Sequence, residues 1–467
     1  MKRFIAAAAA VAAFFGFASA QEPAHTTVAH PEWSRNAVIY EVNTRQYTPE
    51  GTFEAFRNHI PRLEELGVDI LWFMPIHPIS ELNRKGELGS YYAVADYKGV
   101  NPEFGTLDDF KRVVADAHAA GMKVIIDWVP NHTGCDNAWV KEHPEYYQLN
   151  EEGKMYGPYD WTDVYQLDYG KRATREAMID AMSYWLTEAG IDGFRCDVAG
   201  RVPVDFWNEA RTAFDTVAQR PVFMLAEATE PELMEHAFDM DYNWPMKDLF
   251  SHISATSGQY NVGDKKPDFP VRHAADIDSL LREQTAKYPV DSYMMNMITN
   301  HDLNSWEGTE FERLGNLADA FAVLSYTLPG MPLIYTGQET GLNRAIEFFV
   351  KDTAPAWEPR NKYFEFYKSL NALKHSRPEL AAGEKGGKME ILHTASPDVI
   401  AFIRRIGNSA TFVAANLGTQ DSKIFGCPRC TPKIANATDA ISGKTLTALP
   451  ATLAPGEYVV ATYNPEQ

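Results

Sequence analysis

The chain has 467 residues, of which 45% are hydrophobic, 12% aromatic and 23% charged, so it is long and apolar enough to bury a large core. Its formal net charge of −20 at pH 7 disfavours nucleic acid and anionic lipid as partners and favours a neutral substrate or none. Beyond the N-terminal segment no stretch is apolar enough to cross a bilayer, so membrane insertion is not expected.

The first segment of the chain has the pattern of an export signal. Lys2 and Arg3 give it a positive start, residues 4–17 are apolar, and Ala18-Ser19-Ala20 forms an A-x-A cleavage motif. No Cys follows to accept a lipid. We predict that residues 1–20 are a signal peptide cleaved near Ala20, and that the protein is exported to the periplasm or secreted. The alternative, an uncleaved anchor, is disfavoured by the short apolar run.

Short apolar runs alternate with longer amphipathic stretches from about residue 36 to about residue 375. This rhythm indicates parallel strands that are each followed by a helix. The predicted strands are 37–42, 70–74, 123–128, 193–198, 222–227, 238–242, 293–299 and 332–335. The predicted helices include 52–66, 107–120, 172–189, 203–218 and 361–374. Eight such strands predict an α/β fold of the TIM type, a closed (β/α)8 barrel over residues 21–380.

Two parts of the chain depart from this rhythm. Residues 131–170 are rich in aromatic and acidic residues without periodicity, and they predict a short excursion over the barrel mouth after the third strand. After about residue 380 the pattern becomes β-type, which predicts a C-terminal antiparallel β domain over 381–467. Its clearest strand-like segments are 399–404, 410–417 and 458–463.

Three of the four cysteines lie in informative segments of the sequence. Cys427 and Cys430 frame a Cys-Pro-Arg-Cys segment, which in an exported protein favours a disulfide. A zinc site would need a second ligand pair nearby, and none is evident. Cys196 lies within a predicted strand and is expected to be a buried thiol that points away from the barrel interior.

Polar residues follow four of the apolar runs. The segments are Asp-Trp-Val-Pro-Asn-His at 127–132, Gly-Phe-Arg-Cys-Asp at 193–197, Leu-Ala-Glu-Ala at 225–228 and Asn-His-Asp at 300–302. They fall at the ends of the third, fourth, fifth and seventh predicted strands. Because barrels carry their catalytic groups at the C-terminal ends of the strands, the four segments predict one catalytic site there.

Three acids stand in these segments, namely Asp197, Glu227 and Asp302. Glycoside hydrolysis needs two carboxyl groups that flank the scissile bond, one of them protonated. Arg195 lies on the same strand face as Asp197, and its charge should lower the pKa of Asp197, as suits a nucleophile. An apolar wall beside Leu225 should raise the pKa of Glu227, as suits a general acid.

The remaining candidates would hold the sugar. His132 and His301 can donate hydrogen bonds to hydroxyl groups, and Tyr92 can stack against a pyranose ring. Each residue alone has a simpler structural explanation, such as a helix cap, an ion pair or a satisfied loop histidine. The combination of seven such positions favours a sugar-cleaving enzyme.

The four segments resemble the four sequence regions of the α-amylase superfamily of glycoside hydrolases. The resemblance runs from about Trp33 to Trp357 and implies a retaining barrel hydrolase that acts on α-glucans or maltooligosaccharides. It implies that Asp197 is the nucleophile, Glu227 the acid/base and Asp302 the third carboxylate, which holds secondary hydroxyl groups. The other positions around the cleaved sugar are filled by Tyr92, His132, Arg195 and His301. The implied reaction is double displacement through a covalent glycosyl-enzyme intermediate.

The chain departs from this family at the usual structural calcium site. Asn131 keeps one ligand position, but Gln166 stands where an Asp is usual, and Arg201 stands where a His backbone usually contributes. Calcium selects charged oxygen ligands. We therefore do not expect the family's usual calcium at this position, and the sequence establishes no other cofactor. The alternative is an ion placed elsewhere in the excursion, near Asp136, Asp160 and Asp163.

Two further departures concern specificity. Exo-acting α-glucosidases of the superfamily carry an Asp that holds the chain end, and Ala93 stands at that position, which favours cleavage of internal α-1,4 bonds. Val198 follows the predicted nucleophile, as it does in α-1,6-acting and neopullulanase-type relatives. The alternatives are therefore such an enzyme, a transglycosylase with the same acids, or a non-catalytic carbohydrate-binding member, which would be expected to lack one acid.

Aromatic residues of the excursion could stack sugars along a cleft or pack beneath the loop, and packing is favoured for most of them. They are Trp139, Tyr146, Tyr147, Tyr156, Tyr159 and Trp161. The sequence does not define the oligomeric state.

Overall fold

A computed structural model describes residues 24–263, 268–427, 429, 431–434 and 436–465. The predicted signal peptide and Cys430 lie outside the described residues. Cys427 is disulfide-bonded, whereas Cys135 and Cys196 are free and buried. In this described part, no helix is both long and apolar enough to cross a membrane.

Eight parallel strands close into a barrel, which confirms the predicted fold class. The strands β1 to β8 are Ile39–Val42, Ile70–Phe73, Lys123–Trp128, Gly193–Cys196, Phe223–Ala226, Met240–Tyr242, Tyr293–Asn296 and Met331–Tyr335. Each pairs with its neighbour in chain order, and β8 pairs with β1 to complete the ring. Asp197 and Glu227 therefore follow directly after β4 and β5, at the same end of the barrel.

Helices surround the barrel and connect its strands. The α-helices of the described residues are Thr44–Tyr47, Phe53–Arg57, Ile60–Leu66, Leu107–Ala119, Ala138–Glu142, Arg172–Tyr184, Val204–Ala218, Leu233–His236, Trp244–Thr256, Asp276–Lys287, Glu310–Leu314, Ala318–Thr327 and Lys362–Ser376. The predicted helix 52–66 is wrong as one element and is two helices, because Pro61 cannot donate a backbone hydrogen bond to the preceding turn. The predicted helix 172–189 ends in a π-helical turn, Trp185–Ala189.

Alternating side chains of the barrel strands build two apolar layers. In β1, Ile39 packs inside the barrel and Tyr40 packs outside it against the helices. Successive strand residues point to opposite faces, so Glu41 shares the inward face of Ile39. In β4, Cys196 packs in the outer layer, as predicted, which leaves Arg195 on the inward face.

The excursion and the C-terminal region are both built from antiparallel pairs. In the excursion, His132–Gly134 pairs with Val164–Gln166. A six-stranded C-terminal sheet has the order β9-β10-β11-β14-β12-β13. Its strands are Lys388–Ile391 (β9), Val399–Ile406 (β10), Ser409–Asn416 (β11), Ala437–Asp439 (β12), Thr445–Leu446 (β13) and Tyr458–Tyr463 (β14). A short ribbon, Ser422–Lys423 with Thr452–Leu453, completes this region. The exact domain boundary at 380/381 stays a prediction.

Candidate active site

The predicted site residues meet in one cavity at the C-terminal end of the barrel. The cavity measures about 700 Å³, a size typical of small-ligand pockets. Six of the predicted residues line it, namely Tyr92, His132, Asp197, Glu227, His301 and Asp302. The seventh, Arg195, is fully buried and does not line the cavity. The structure thus brings the whole set together, while the catalytic role of each residue stays a prediction.

The Arg195 guanidinium joins three carboxylates. Its Nη1 lies 2.9 Å from Oδ1 of Asp127 and 2.9 Å from Oδ1 of Asp197. Its Nη2 lies 2.9 Å from Oε2 of Glu227. Nε donates a hydrogen bond of 3.0 Å to Tyr242 Oη. Because the guanidinium is planar and buried, it fixes the relative positions of these carboxylates.

The ionisation of Asp197 is not the one that the sequence suggested. Burial raises the pKa of Asp197 well above its usual range, the charge of Glu227 raises it further, and Arg195 opposes both effects. The predicted lowering was wrong in net direction, since it considered Arg195 without the burial and the second carboxylate. The negative charge of Glu227 thus opposes ionisation of Asp197. Glycoside hydrolysis needs one carboxylate and one acid at the cleaved bond.

A left-handed turn at Val198 links the two acids. Val198 has a φ of 38°, which is rare for a β-branched residue. The turn directs its backbone N–H to Oε2 of Glu227, at 2.8 Å. Glu227 is therefore held by this N–H and by Arg195, whereas the sequence suggested an apolar wall.

His301 is held between acids and carries two protons. Its Nδ1 hydrogen-bonds with the buried Glu41 carboxylate, and its Nε2 lies 2.8 Å from Tyr92 Oη. Tyr92 Oη donates its own proton to Oδ2 of Asp127, at 2.9 Å, so it accepts from Nε2. Burial disfavours the charged imidazole, but Asp302 and Glu41 outweigh this effect and raise the pKa of His301 to about 9.

The His132 imidazole, unlike that of His301, is uncharged. Burial lowers the pKa of His132 to about 4, so the imidazole is neutral. Gln166 Nε2 donates to the backbone oxygen of Asn131 at 3.0 Å and to its Oδ1 at 2.9 Å. With Oδ1 accepting, Asn131 Nδ2 is left to donate to Nδ1 of His132, at 3.2 Å. These contacts assign the single proton of His132 to Nε2.

The same contacts test the calcium site that the family implies. Gln166 presents a hydrogen-bond donor to both oxygens of Asn131, where a cation would need acceptors around it. The Arg201 guanidinium lies 5.2 Å from the centre of the Tyr159 ring. The described residues contain no group of three or more His, Cys, Asp or Glu that could hold a metal. These residues do not fit the usual calcium, and we assign no step of the reaction to it.

Two of the three acids near which a differently placed ion could lie have protein partners. Asp136 accepts a backbone hydrogen bond of 3.0 Å from Leu82. Asp163 forms an ion pair of 3.1 Å with Lys85. Asp160 lines the cavity.

Sequence reasoning missed several contributors to the site. Glu41, Asp127 and Tyr242 carry its buried polar network, and Trp306 lines the cavity. A carboxylate within an apolar strand was a usable signal for Glu41 and Asp127, because an inward-facing charge needs a buried partner. Of the six aromatic residues of the excursion, Trp161 alone is among the described residues that line the cavity.

The grouping of these side chains indicates which reaction the site can perform. A guanidinium holds two carboxyl groups at the mouth of a barrel, and a third acid and two differently protonated histidines line the same cavity. Such groups can supply a nucleophile, a proton and hydroxyl-binding contacts at one bond. Fold and site together define a glycoside hydrolase of the (β/α)8-barrel class.

Comparisons with known proteins identify the family. Residues 31–163 and 145–354 match the family described as alpha amylase, catalytic domain. The chain is 26% identical to the alpha-amylase MalA of Haloarcula japonica, covering 89% of this chain and 59% of that protein. It is 26% identical to neopullulanase 2 of Thermoactinomyces vulgaris, covering 83% and 70% respectively. The crystal structure of an alpha-amylase from Lactobacillus plantarum superposes with a TM-score of 0.79 at 30% identity, covering 92% of this chain and 99% of that one. The chain belongs to the α-amylase family.

Proposed function

We propose that the protein is an exported, retaining α-glucan hydrolase that cleaves internal α-1,4-glucosidic bonds in starch or maltooligosaccharides. The observation that carries this proposal is the pair of acids Asp197 and Glu227, bridged by Arg195 at the cavity. Relatives named alpha-amylase and neopullulanase support an α-glucan as the substrate. Export rests on the predicted signal peptide.

The site supplies both halves of a double displacement. In the first, an Asp197 oxygen attacks the anomeric carbon while Glu227 gives its proton to the departing glycosidic oxygen. A bond forms between Asp197 and the sugar as the glycosidic bond breaks. In the second, Glu227 takes a proton from water, the water oxygen attacks the anomeric carbon, and Asp197 is released. Two inversions at one carbon give retention.

The other residues position the sugar. His301, as an imidazolium, and Asp302 bind hydroxyl groups of the unit at the cleavage point. Neutral His132 can donate a hydrogen bond from Nε2. Tyr92 presents its ring, which stacks on His301 at an interplanar angle of 20°. Arg195 keeps the acids in place throughout.

Cleavage at internal bonds is supported by Ala93. This residue is buried, and its methyl group offers no hydrogen bond to a chain end. At this position, therefore, no carboxylate binds the end of the glucan, and the chain can extend past the cleavage point.

A second candidate is an α-1,6-acting or neopullulanase-type enzyme, or a transglycosylase, with the same acids. It is favoured by Val198 after Asp197 and by the similarity to neopullulanase 2. A non-catalytic carbohydrate-binding member is disfavoured, because all three acids line the cavity.

A product time course on soluble starch and on maltoheptaose tests the proposal. Chain lengths are read by chromatography and the anomeric configuration by proton NMR, with Asp197→Asn as the inactive control. We expect early products of intermediate length in the α configuration. Glucose alone from the first minutes would contradict internal cleavage, and chains longer than the substrate would identify transfer. Cleavage of pullulan without cleavage of maltoheptaose would select the α-1,6 alternative.

A further inference from the structure

One large aromatic residue of the cavity has no part in the reaction described above. Trp306 has 59% of its surface exposed, although it lines the same cavity as Asp197 and Glu227. Phe348 and Phe349 line the same cavity, and an apolar patch of this kind, rather than a single exposed side chain, often marks a ligand-binding groove.

The indole of Trp306 contacts two other aromatic rings. The Phe348 ring lies beside it with centroids 5.4 Å apart and planes tilted by 49°, and the Phe349 ring lies 5.8 Å away. Phe348 is itself nearly parallel to Tyr92, at 10° and 6.4 Å. A row of rings therefore leads outward from Tyr92, at the cleavage point, through Phe348 to Trp306. We call Tyr92, Phe348 and Trp306 the aromatic row.

Hydrogen bonds hold the segment of Trp306 against the loop that carries Phe348. Asn304 Oδ1 accepts from the backbone N–H of Ile346 at 2.7 Å, and Asn304 Nδ2 donates to the Arg344 oxygen at 3.1 Å. Ser305 Oγ donates to the Ile346 oxygen at 3.2 Å. These bonds hold the chain next to Trp306 in place, which reduces the entropy lost when a ligand binds. We call the Trp306 indole and the Phe348 ring beside it the platform.

Barrel topology indicates which part of the substrate meets this platform. Trp306 follows β7 and Phe348 follows β8, whereas Glu227 follows β5. Since Glu227 protonates the departing oxygen, the leaving part of the glucan lies on the β5 side. The residues of the aromatic row follow β2, β8 and β7, so the row occupies the part of the barrel rim away from β5, where we infer that the retained part of the chain lies.

We propose that Trp306, supported by Phe348, binds the α-1,4-linked glucosyl unit next to the cleaved one on its non-reducing side. This inference rests on the proposed function and deepens it. The apolar face of a pyranose ring packs on the indole and is removed from water. The enzyme then selects substrates whose retained part has at least two units, and it releases maltose or longer products in preference to glucose.

The test compares an aryl α-maltoside with an aryl α-glucoside, which differ by the unit assigned to Trp306. In Trp306→Ala we expect kcat/KM for the maltoside to fall by about three- to tenfold, the range that one aromatic contact supplies, and kcat/KM for the glucoside to stay unchanged. Trp306→Phe should recover most of the loss. Tyr156→Ala, an exposed aromatic of the excursion outside the cavity lining, is the matched control and should change neither substrate. An equal fall in kcat/KM for both substrates, or no fall for either, would contradict the role proposed for Trp306.

Binding of sugars to the inactive variant Asp197→Asn tests this inference separately from the proposed function. Calorimetry measures the affinity of Asp197→Asn for maltose and for glucose. Adding Trp306→Ala should weaken the binding of maltose by the same factor and leave glucose unchanged. If the wild-type protein cleaves no α-glucan, the proposed function fails, yet a selective loss of maltose binding would still support the platform. If Asp197→Asn does not prefer maltose over glucose, the platform is wrong.

Discussion

Gln166 Nε2 donates hydrogen bonds to two oxygens of Asn131, at 2.9 and 3.0 Å. Asn131 stands where the excursion leaves the barrel, and Gln166 belongs to the strand that closes its ribbon. The amide therefore ties the two ends of the excursion together, as a calcium ion would, and through Asn131 it also orients His132.

From this we predict that the wild-type protein is insensitive to chelators. EDTA should leave its melting temperature and its rate of starch hydrolysis unchanged, because both oxygens of Asn131 accept hydrogen bonds from the Gln166 amide. Gln166→Glu removes the donor and places a negative charge against two oxygens, so it should destabilise the protein by about 1–3 kcal/mol. Added calcium should restore part of that loss.

The measurement is thermal unfolding of each protein with EDTA and with calcium. Gln148→Glu is the matched control in the same excursion, because Gln148 Oε1 accepts from Tyr156 rather than meeting an acceptor. A fall in the wild-type melting temperature on adding EDTA would show that a metal does bind.

The two acids should differ in their dependence on the leaving group. Asp197→Asn should lower kcat on all substrates by about 10³-fold or more, since it removes the nucleophile. Glu227→Gln should lower kcat far more on maltooligosaccharides than on a nitrophenyl glycoside, because the nitrophenyl leaving group needs no proton. Steady-state kinetics on both substrate types checks this, and equal losses in Glu227→Gln would refute its acid role.

Glu41 should keep His301 charged at alkaline pH. The pKa of His301 is raised from its ordinary value of 6.5 to about 9. A raised pKa contributes stability that is fully present below pH 6.5 and is lost as the pH rises through about 9. Glu41→Gln removes one of the two carboxylates responsible, so the pKa of His301 should fall, and the alkaline limb of the pH–activity profile should move to lower pH.

NMR titration of the His301 imidazole measures this shift without relying on activity. Glu310→Gln is the control, because Glu310 is another buried carboxyl group and does not contact His301 or line the cavity. An unchanged pKa of His301 in Glu41→Gln would mean that Asp302 alone sets it.

Arg195→Met should leave Asp127, Asp197 and Glu227 without their shared cation. Breaking a buried ion pair costs about 3–5 kcal/mol when one partner is removed. The free energy of unfolding should fall most at neutral and alkaline pH, where the carboxylates are charged. It should fall less at acid pH, where the carboxylates take up protons.

Urea unfolding at pH 5 and pH 8 tests the Arg195 prediction. Arg172→Met, which removes an exposed Arg paired with Glu176, should change stability little at either pH. A loss in Arg195→Met that is equal at both pH values would contradict the electrostatic cause.

Much of the fold and the membership of the site followed from local patterns. Apolar runs such as the one before Asp197 define buried parallel strands, and the polar residue that ends each run must stand at one rim of the barrel. Arg195 could be placed on the face of Asp197 because side chains alternate along a strand. Glu41 gave a weaker signal, a charge within an apolar strand, and its partner could not be named from the sequence.

The sequence by itself determined the barrel, the order of its strands and which polar residues reach its mouth, because periodicity and strand ends are local properties of the chain. The tertiary structure decided the charge states, the hydrogen bonds by which Gln166 holds Asn131, and the aromatic row. The pKa of Asp197 depends on how deeply it is buried and on Glu227, and the protons of His132 and His301 depend on partners up to 260 residues away. Such effects arise from distance and solvent exclusion, which exist only once the chain has folded.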